Sequence, residues 1–224
     1  QPSLIGWATG GSRIYFSEAR GTTDRIYSID VRSGELSEFA VGNQVLTGID
    51  LNSGGTTLGF AMESSNRAVE AFVTRVEKFE PVQISHANGE LPKLPLGKVE
   101  LVRWKASDGF EIEGLLTYPV GYEPGKRVPL ILNIHGGPAG VFSQRFIAAS
   151  GLYPIAAFAA RGYAVLQPNP RGSSGYGPEF RYANYKDWGG GDYQDLMAGV
   201  DHVIQMGVAD PDRLGVCGWS YGGY

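Results

Sequence analysis

Residues 213–222 read RLGVCGWSYG, a short apolar strand followed by the pattern G-x-S-x-G centred on Ser220. In this pattern the chain turns sharply from a strand into a helix and exposes the serine hydroxyl above the sheet. Glycine is needed on both sides of the serine because the tight turn brings neighbouring backbone very close. The pattern is short, but the strand predicted over 213–216 supplies the required context. Ser220 is therefore a candidate nucleophile.

Two further motifs follow predicted strands. HGGP at 135–138 comes directly after the apolar strand predicted over 128–134. Loops of this type supply backbone N–H groups to a developing oxyanion, and each such donor is worth roughly 3–4 kcal/mol. NPRGSSGYG at 169–177 follows the strand predicted over 163–166, so it lies at the same strand ends. Its glycine spacing does not match G-x-G-x-x-G, which argues against a dinucleotide site.

The second half of the chain predicts alternating strands and helices. Segments 99–104 and 110–118 are expected to form an antiparallel pair of strands. Proline before and glycine after the alanine-rich segment 155–161 indicate a helix. An apolar face predicts a second helix over 192–206. Because strands alternate with helices after residue 120, we expect a parallel α/β sheet.

The first ninety residues predict short strands, among them 13–16 and 25–29, separated by a turn at 21–24. GGTTLGF at 54–60 repeats GGSRIYF at 10–16, and further similarities give offsets of 42–44 residues. This period is close to the ~40–45 residues of a four-stranded propeller blade. Two blades cannot close a propeller, because rings need about 4–8. Proline and glycine between 88 and 98 mark a linker.

Composition restricts the class of protein. The 224 residues carry a formal net charge of −4 without a basic stripe, which argues against nucleic-acid partners. No apolar run approaches the ~18–20 residues of a membrane span, and the N-terminal stretch does not resemble a signal peptide. The single Cys217 excludes an internal disulfide framework, and the three histidines lack zinc-site spacing. We therefore expect no metal and no cofactor, and the lack of cysteine pairs favours a cytoplasmic location.

HGGP, NPRGSSGYG and GWSYGGY together resemble the prolyl oligopeptidase family of serine peptidases, which includes dipeptidyl peptidases and acylaminoacyl peptidases. The resemblance covers nearly the whole chain and is most specific over 104–224. Members of this family carry a β-propeller that caps an α/β-hydrolase domain. The resemblance therefore implies that residues 1–92 are the C-terminal blades of a propeller. It likewise implies that residues 93–224 are the N-terminal part of an α/β-hydrolase peptidase domain, up to the nucleophile elbow.

By the same resemblance Ser220 is the nucleophile, and the backbone N–H groups of Tyr221 and Gly137 are the oxyanion donors. Some relatives use a tyrosine hydroxyl where this chain has His135, so that donor is absent here. The implied substrates are short peptides, cleaved through an acyl-enzyme, and a homo-oligomer is possible for the full-length protein. The triad of this fold runs Ser…Asp…His, whereas all three histidines precede Ser220. We therefore expect a fragment of a longer peptidase that is inactive alone.

Two alternatives remain at this point. An esterase or lipase would have the same serine elbow and HGG loop, although a propeller cap argues for peptide substrates. A non-catalytic module, made of a propeller and an inactive hydrolase scaffold, is disfavoured by the retained serine and glycines.

The sequence also predicts the surroundings of two individual side chains, Arg171 and Cys217. Arg171 lies in the loop that follows a predicted strand, and a loop that shapes an active site must be held in place. We expect its guanidinium to pair with Asp192 or Asp195 on the next helix. Cys217, at the end of an apolar strand, is expected to be a buried core thiol rather than a nucleophile.

Overall fold

The computed structural model describes residues 2–149 and 151–224, which divide into two compact units. Unit 1 comprises the residues up to Pro92 together with Ser143–Phe146. Unit 2 comprises Lys93–Phe142 and Ile147–Tyr224. Among the helices described, none has the length and apolarity that a bilayer-spanning helix needs.

Unit 1 consists of two four-stranded antiparallel sheets, in each of which consecutive strands are neighbours. β2 begins at Arg13 and β6 at Thr57, so the 44-residue offset of the sequence repeat places its two copies at equivalent strands. The strands are β1 Ser3–Trp7, β2 Arg13–Arg20, β3 Thr23–Asp30, β4 Leu36–Glu38, β5 Val45–Leu51, β6 Thr57–Ser64, β7 Arg67–Arg75 and β8 Val82–Gln83.

The core of unit 1 comes from alternate positions of these strands, as expected where side chains point to opposite faces of a sheet. Buried aliphatic and aromatic residues meet there: Ile26, Val41, Leu46, Leu58, Phe60, Met62 and Phe72. The turn predicted over 21–24 is shorter than expected. Thr23 and Asp24 already belong to β3, where they pair with Arg20 and Ala19.

The segment Ser143–Phe146 is held to the rest of unit 1 by a buried carboxylate. Glu63 on β6 accepts hydrogen bonds from Arg145 Nη1 at 2.9 Å and from the Phe146 N–H at 3.0 Å. The Gln144 N–H donates to the Thr22 carbonyl at 2.8 Å. A buried carboxylate needs such donors, because an unpaired charge in the interior is costly.

Unit 2 contains a five-stranded mixed sheet in the order β13-β11-β12-β10-β9. β11 is parallel to both β12 and β13, whereas β10 is antiparallel to β12 and to β9. The strands are β9 Val99–Lys105, β10 Glu111–Thr117, β11 Val128–Ile134, β12 Ala164–Asn169 and β13 Ala209–Gly218. The antiparallel pair β9–β10 and the parallel strands after residue 120 confirm the predicted pattern.

The helices of unit 2 are α1 Ile155–Ala160, α2 Gly177–Tyr182 and α3 Gly191–Gln205. The first and last were predicted to within one residue at each end. On α3, Val200 and Val203 belong to the core that also contains Trp104, Leu116 and Leu166 of the sheet. The six-residue α2 was not predicted, because so short a helix has no apolar periodicity to reveal it.

Two strands of unit 2 are longer than predicted. β12 continues to Asn169 instead of ending at Leu166, and it includes Pro168. Pro168 pairs with Gly114 of β10, past the end of the ladder with β11, where the missing N–H of proline is tolerated. β13 begins at Ala209 rather than Arg213.

The parallel direction of β11, β12 and β13 positions the three motifs. Parallel strands present their carboxyl ends at the same edge of a sheet. Residues 135–142 follow β11, residues 170–176 follow β12, and Trp219 and Ser220 follow β13. The three loops therefore meet at one edge of unit 2.

Candidate active site

Ser220 lies on a strained turn. Trp219 has an extended backbone, and Ser220 then adopts φ +56° at the start of a single 3-10 turn, Ser220–Gly223. A positive φ is uncommon for a residue with a side chain, and such strain persists only where the surroundings enforce it. This is the geometry expected of a serine on a strand-to-helix elbow.

The two glycines that flank the serine are both required sterically. A Cβ at Gly218 would lie 2.0 Å from the carbonyl oxygen of Gly222. A Cβ at Gly222 would lie 2.2 Å from the carbonyl oxygen of Ile134, the last residue of β11. Any side chain at either position would collide with backbone. The G-x-S-x-G pattern is therefore explained by close approaches inside the turn and between the turn and β11.

The HGGP loop passes directly against the serine. A Cβ at Gly136 would lie 3.1 Å from Ser220 Cβ and 3.7 Å from Ser220 Oγ. The Gly136 carbonyl faces its own loop, where it accepts the Gly140 N–H at 3.2 Å. The Gly137 N–H finds no acceptor among the described residues. The structure thus places Gly136, which the sequence argument did not single out, next to the candidate nucleophile, and Gly137 stays a predicted donor.

The side chain of Tyr221 makes contacts of its own, separate from the oxyanion-donor role predicted for the Tyr221 backbone N–H. Its hydroxyl donates to Asp192 Oδ2 on α3 at 2.5 Å, and its ring contacts Trp188 edge-on. Burial is the main cause that raises the pKa of the Tyr221 phenol, so the hydroxyl stays protonated and remains a donor. This contact ties the elbow to the N-terminus of α3.

Arg171 makes the predicted ion pair with Asp195. Its Nε and Nη2 donate to the two carboxylate oxygens at 2.9 and 2.7 Å. The other predicted partner, Asp192, bonds Tyr221 instead. A second carboxylate, Asp108, accepts Arg171 Nη1 and Nη2 at 2.7 and 3.0 Å and was not predicted. Hydrogen bonds from Arg171 lower the pKa of Asp108 to about 2.

Within the described residues, none of the three histidines forms a hydrogen bond with Ser220. His135 is buried, with Nε2 at 3.0 Å from Ser173 Oγ and Nδ1 at 2.9 Å from the Gly136 carbonyl. Burial lowers the pKa of its imidazole, which keeps the ring neutral near pH 7. His202 stacks on Trp104 in unit 2, and His86 belongs to unit 1.

The prediction of a buried core thiol at Cys217 is wrong. The side chain is half-buried, and its Sγ lies 3.5 Å from Asn133 Oδ1. The reason is that β13 is the outermost strand in the described sheet, where Leu214 and Val216 are even more exposed than Cys217. Burial of the thiol nevertheless raises its pKa, which disfavours a thiolate nucleophile.

A cavity of about 770 Å³ lies beside the elbow in unit 2. Its lining includes His135, Asp192, Cys217, Tyr221 and Tyr224, but not Ser220. The cavity is thus not itself centred on the candidate nucleophile. Among the described residues, no group of three His, Cys, Asp or Glu side chains is arranged to hold a metal ion.

The family model described as "Prolyl oligopeptidase family" matches residues 152–224, which include the loop at 170–176 and the turn at Ser220 but not the HGGP loop. Together with the relatives and solved structures below, this match supports a prolyl oligopeptidase family peptidase.

Curated peptidases of this family are similar in sequence. Uncharacterized peptidase YuxL of Bacillus subtilis is 44% identical over 126 residues, which cover 56% of this chain and 18% of that protein. Dipeptidyl-peptidase 5 of Porphyromonas endodontalis is 27% identical over 213 residues, or 94% of this chain and 30% of that protein. The chain therefore spans less than a third of the length of these two relatives.

A solved prolyl oligopeptidase family structure shares the fold. Acylaminoacyl peptidase in complex with Z-Gly-Gly-Phe-chloromethyl ketone superposes with a TM-score of 0.82 at 28% identity, covering 100% of this chain and 34% of that one. Neighbours of this kind combine a β-propeller with an α/β-hydrolase domain. The predicted family and its hydrolase and peptidase class are confirmed.

Proposed function

We propose that Ser220 is the nucleophile of a serine peptidase that cleaves short peptides through an acyl-enzyme. In this proposal residues 93–224 are the N-terminal part of an α/β-hydrolase domain, and residues 1–92 are the last blades of a β-propeller. The observation that carries the proposal is the backbone of Ser220. Its φ is +56°, the tight turn around it has no room for a side chain at Gly218 or Gly222, and Ser220 lies against the HGGP loop.

The chemistry follows from the groups around the serine. Ser220 Oγ attacks the carbonyl carbon of the scissile peptide bond while a general base takes its proton. The oxyanion that develops is stabilised by the N–H groups of Tyr221 and Gly137, which cost no reorganisation if they are fixed beforehand. The base passes this proton to the leaving nitrogen as the tetrahedral intermediate collapses, and the amine product departs. Water then hydrolyses the acyl-enzyme, which releases the acid product and restores the Ser220 hydroxyl.

A serine hydroxyl needs an adjacent base to react near neutral pH. His135 is held by Ser173 and Gly136, and His202 by Trp104, so neither supports this role. We therefore place the base outside residues 1–224, in the protein that carries this chain.

The proposal is tested by labelling that protein with an aryl phosphonate directed at activated serines, followed by peptide mapping. We expect the adduct on Ser220 and hydrolysis of short peptide anilides. Ser220→Ala should abolish both, with a fall in kcat on the order of 10⁶. Ser107→Ala, at an exposed turn of unit 2, is the matched control and should change neither.

An adduct on another residue, or turnover that survives Ser220→Ala, would refute the assignment. Hydrolysis of simple aryl esters without hydrolysis of peptides would instead support the esterase alternative.

A further inference from the structure

The HGGP loop continues to Phe142, and we call residues 135–142 the oxyanion loop. It contains three glycines, Gly136, Gly137 and Gly140, and glycine has more backbone freedom than any other residue. A loop of this composition cannot fix its own donors to within the tolerance that catalysis needs. Its position must therefore come from contacts with its surroundings.

Those contacts come from residues 169–176, here called the clamp segment. Ser174 Oγ donates to the carbonyl of Ala139 at 2.6 Å, and the Ser174 N–H donates to the carbonyl of Gly140 at 3.2 Å. One residue of the clamp segment therefore holds two successive carbonyls of the oxyanion loop.

The far end of the oxyanion loop is held by a side-chain amide. Asn169 is fully buried, and its Oδ1 accepts the Phe142 N–H at 2.7 Å. Its Nδ2 donates to the Phe142 carbonyl at 2.9 Å. Asn169 thus satisfies both backbone groups of Phe142.

The near end is held through His135. Ser173 is fully buried, its Oγ lies 3.0 Å from His135 Nε2, and the same hydroxyl donates to the Pro170 carbonyl at 2.6 Å. The oxyanion loop is therefore attached to the clamp segment at its start, its middle and its end.

The clamp segment is itself anchored to the core of unit 2. Arg171 donates a bidentate pair of hydrogen bonds to Asp195, which is fully buried on α3. The Tyr176 hydroxyl donates to Glu113 on β10 at 2.9 Å and accepts Asn169 Nδ2 at 2.9 Å. The anchoring is charge-assisted, and hydrogen bonds of that kind are roughly twice as strong as neutral ones.

We propose that the clamp segment sets the position of the oxyanion loop against Ser220, and that Ser174 is a positioning residue for the reaction. This inference rests on the proposed function of Ser220 and extends it. Oxyanion donors must lie about 2.7–3.1 Å from the oxygen they stabilise. A displacement of about 1 Å can cost on the order of 10² in rate. The clamp contacts would supply that precision.

The test is a set of single variants in the protein that carries this chain. Ser174→Ala removes the hydroxyl bond to Ala139, Ser174→Thr keeps a hydroxyl, and Ser107→Ala is the exposed serine control. We expect Ser174→Ala to lower kcat about 10- to 100-fold with little change in KM, since the donors act mainly in the transition state. Ser174→Thr should recover most of that loss.

A second measurement tests the clamp independently of which residue is the nucleophile. Amide hydrogen exchange of residues 135–142 should accelerate in Ser174→Ala and not in Ser107→Ala. Unchanged exchange in that loop would overturn the clamp, whatever the activity. Unchanged kcat, or equal losses in Ser174→Ala and Ser174→Thr, would overturn the positioning role.

The two proposals fail in different ways. Turnover that survives Ser220→Ala refutes the nucleophile and with it the catalytic role of the clamp. Loss of activity in Ser220→Ala together with normal kcat in Ser174→Ala refutes the clamp alone.

Discussion

Gly222 lies so close to Ile134 that a Cβ at position 222 would stand 2.2 Å from the Ile134 carbonyl oxygen. This approach joins the turn after β13 to the last residue of β11. Residue 135, the first residue of the oxyanion loop, follows Ile134 directly. The approach therefore also fixes the distance between the turn of Ser220 and the start of that loop. A glycine required by one strand end therefore determines how close the nucleophile lies to its predicted donors.

Gly222→Ala should accordingly disrupt the elbow. Backbone is the obstacle, so the clash cannot be relieved by a side-chain rotation. We expect the free energy of unfolding of unit 2 to fall by roughly 3 kcal/mol, and labelling of Ser220 to be lost. Gly223→Ala is the matched control, since its Cβ would meet the nearest atom, Gly218 O, at 3.8 Å. Denaturant unfolding that finds the two variants equally stable would contradict the steric argument.

Arg171 is the next position where a single change should have a large effect. Asp195 is fully buried, and Arg171 supplies the cation that it faces. Arg171→Leu would leave that carboxylate uncompensated, which typically costs about 3–5 kcal/mol. Arg171→Lys should recover part of this loss, because an ammonium keeps the charge but cannot make the bidentate fork.

Asp108→Asn serves as the comparison, because the Asp108 side chain is half-exposed. It should destabilise unit 2 much less than Arg171→Leu. Equal effects of the two substitutions in chemical denaturation would show that the buried pair with Asp195 is not the main contribution.

The contrast between these two carboxylates shows what the sequence could reveal. Asp195 was predictable as a partner, since it lies on the helix that follows the loop of Arg171. Asp108 lies 63 residues earlier in a turn between β9 and β10, and no local pattern indicates that this turn meets the loop. The predicted elbow rested on a motif and an adjacent apolar strand, both of which are local signals.

Other features depended on tertiary packing. Gly136 and Gly137 are adjacent and identical, so only coordinates show which one lies against Ser220. Asn169 was predicted as part of a motif, but its bidentate contact with Phe142 needed the spatial approach of two loops. Burial of Cys217 was overestimated because the sequence does not show which strand lies at the edge of the sheet.

His135 should make the stability of unit 2 depend on pH. Burial lowers its pKa in the folded state, so the unfolded chain, with a pKa of about 6.5, binds a proton more readily. The full stabilisation is therefore present above about pH 6.5 and is lost as the pH falls, with a slope of at most about 1.4 kcal/mol per pH unit.

His135→Gln removes this titration and keeps a side chain that can bond Ser173. Unfolding measured from pH 7.5 to 5 should show a shallower loss of stability in the variant than in the wild-type protein. Carboxylates titrate in both proteins and cancel in the comparison. Parallel curves would mean that protonation of His135 is not linked to folding.

The final prediction concerns residues 1–224 expressed alone, which should not hydrolyse peptides measurably. The Ser220 hydroxyl needs a base, and His135 Nε2 is already paired with Ser173, while His202 stacks on Trp104. Loss of the histidine base costs on the order of 10⁶ in kcat in a comparable enzyme. Fixed oxyanion donors and binding retain only about 10³–10⁴ over the reaction in water. The measurement is peptide-anilide hydrolysis by the purified chain against its Ser220→Ala variant. Robust turnover that disappears in this variant would mean that a histidine within the chain acts as the base, and the same assay on His135→Gln would show whether it is that one.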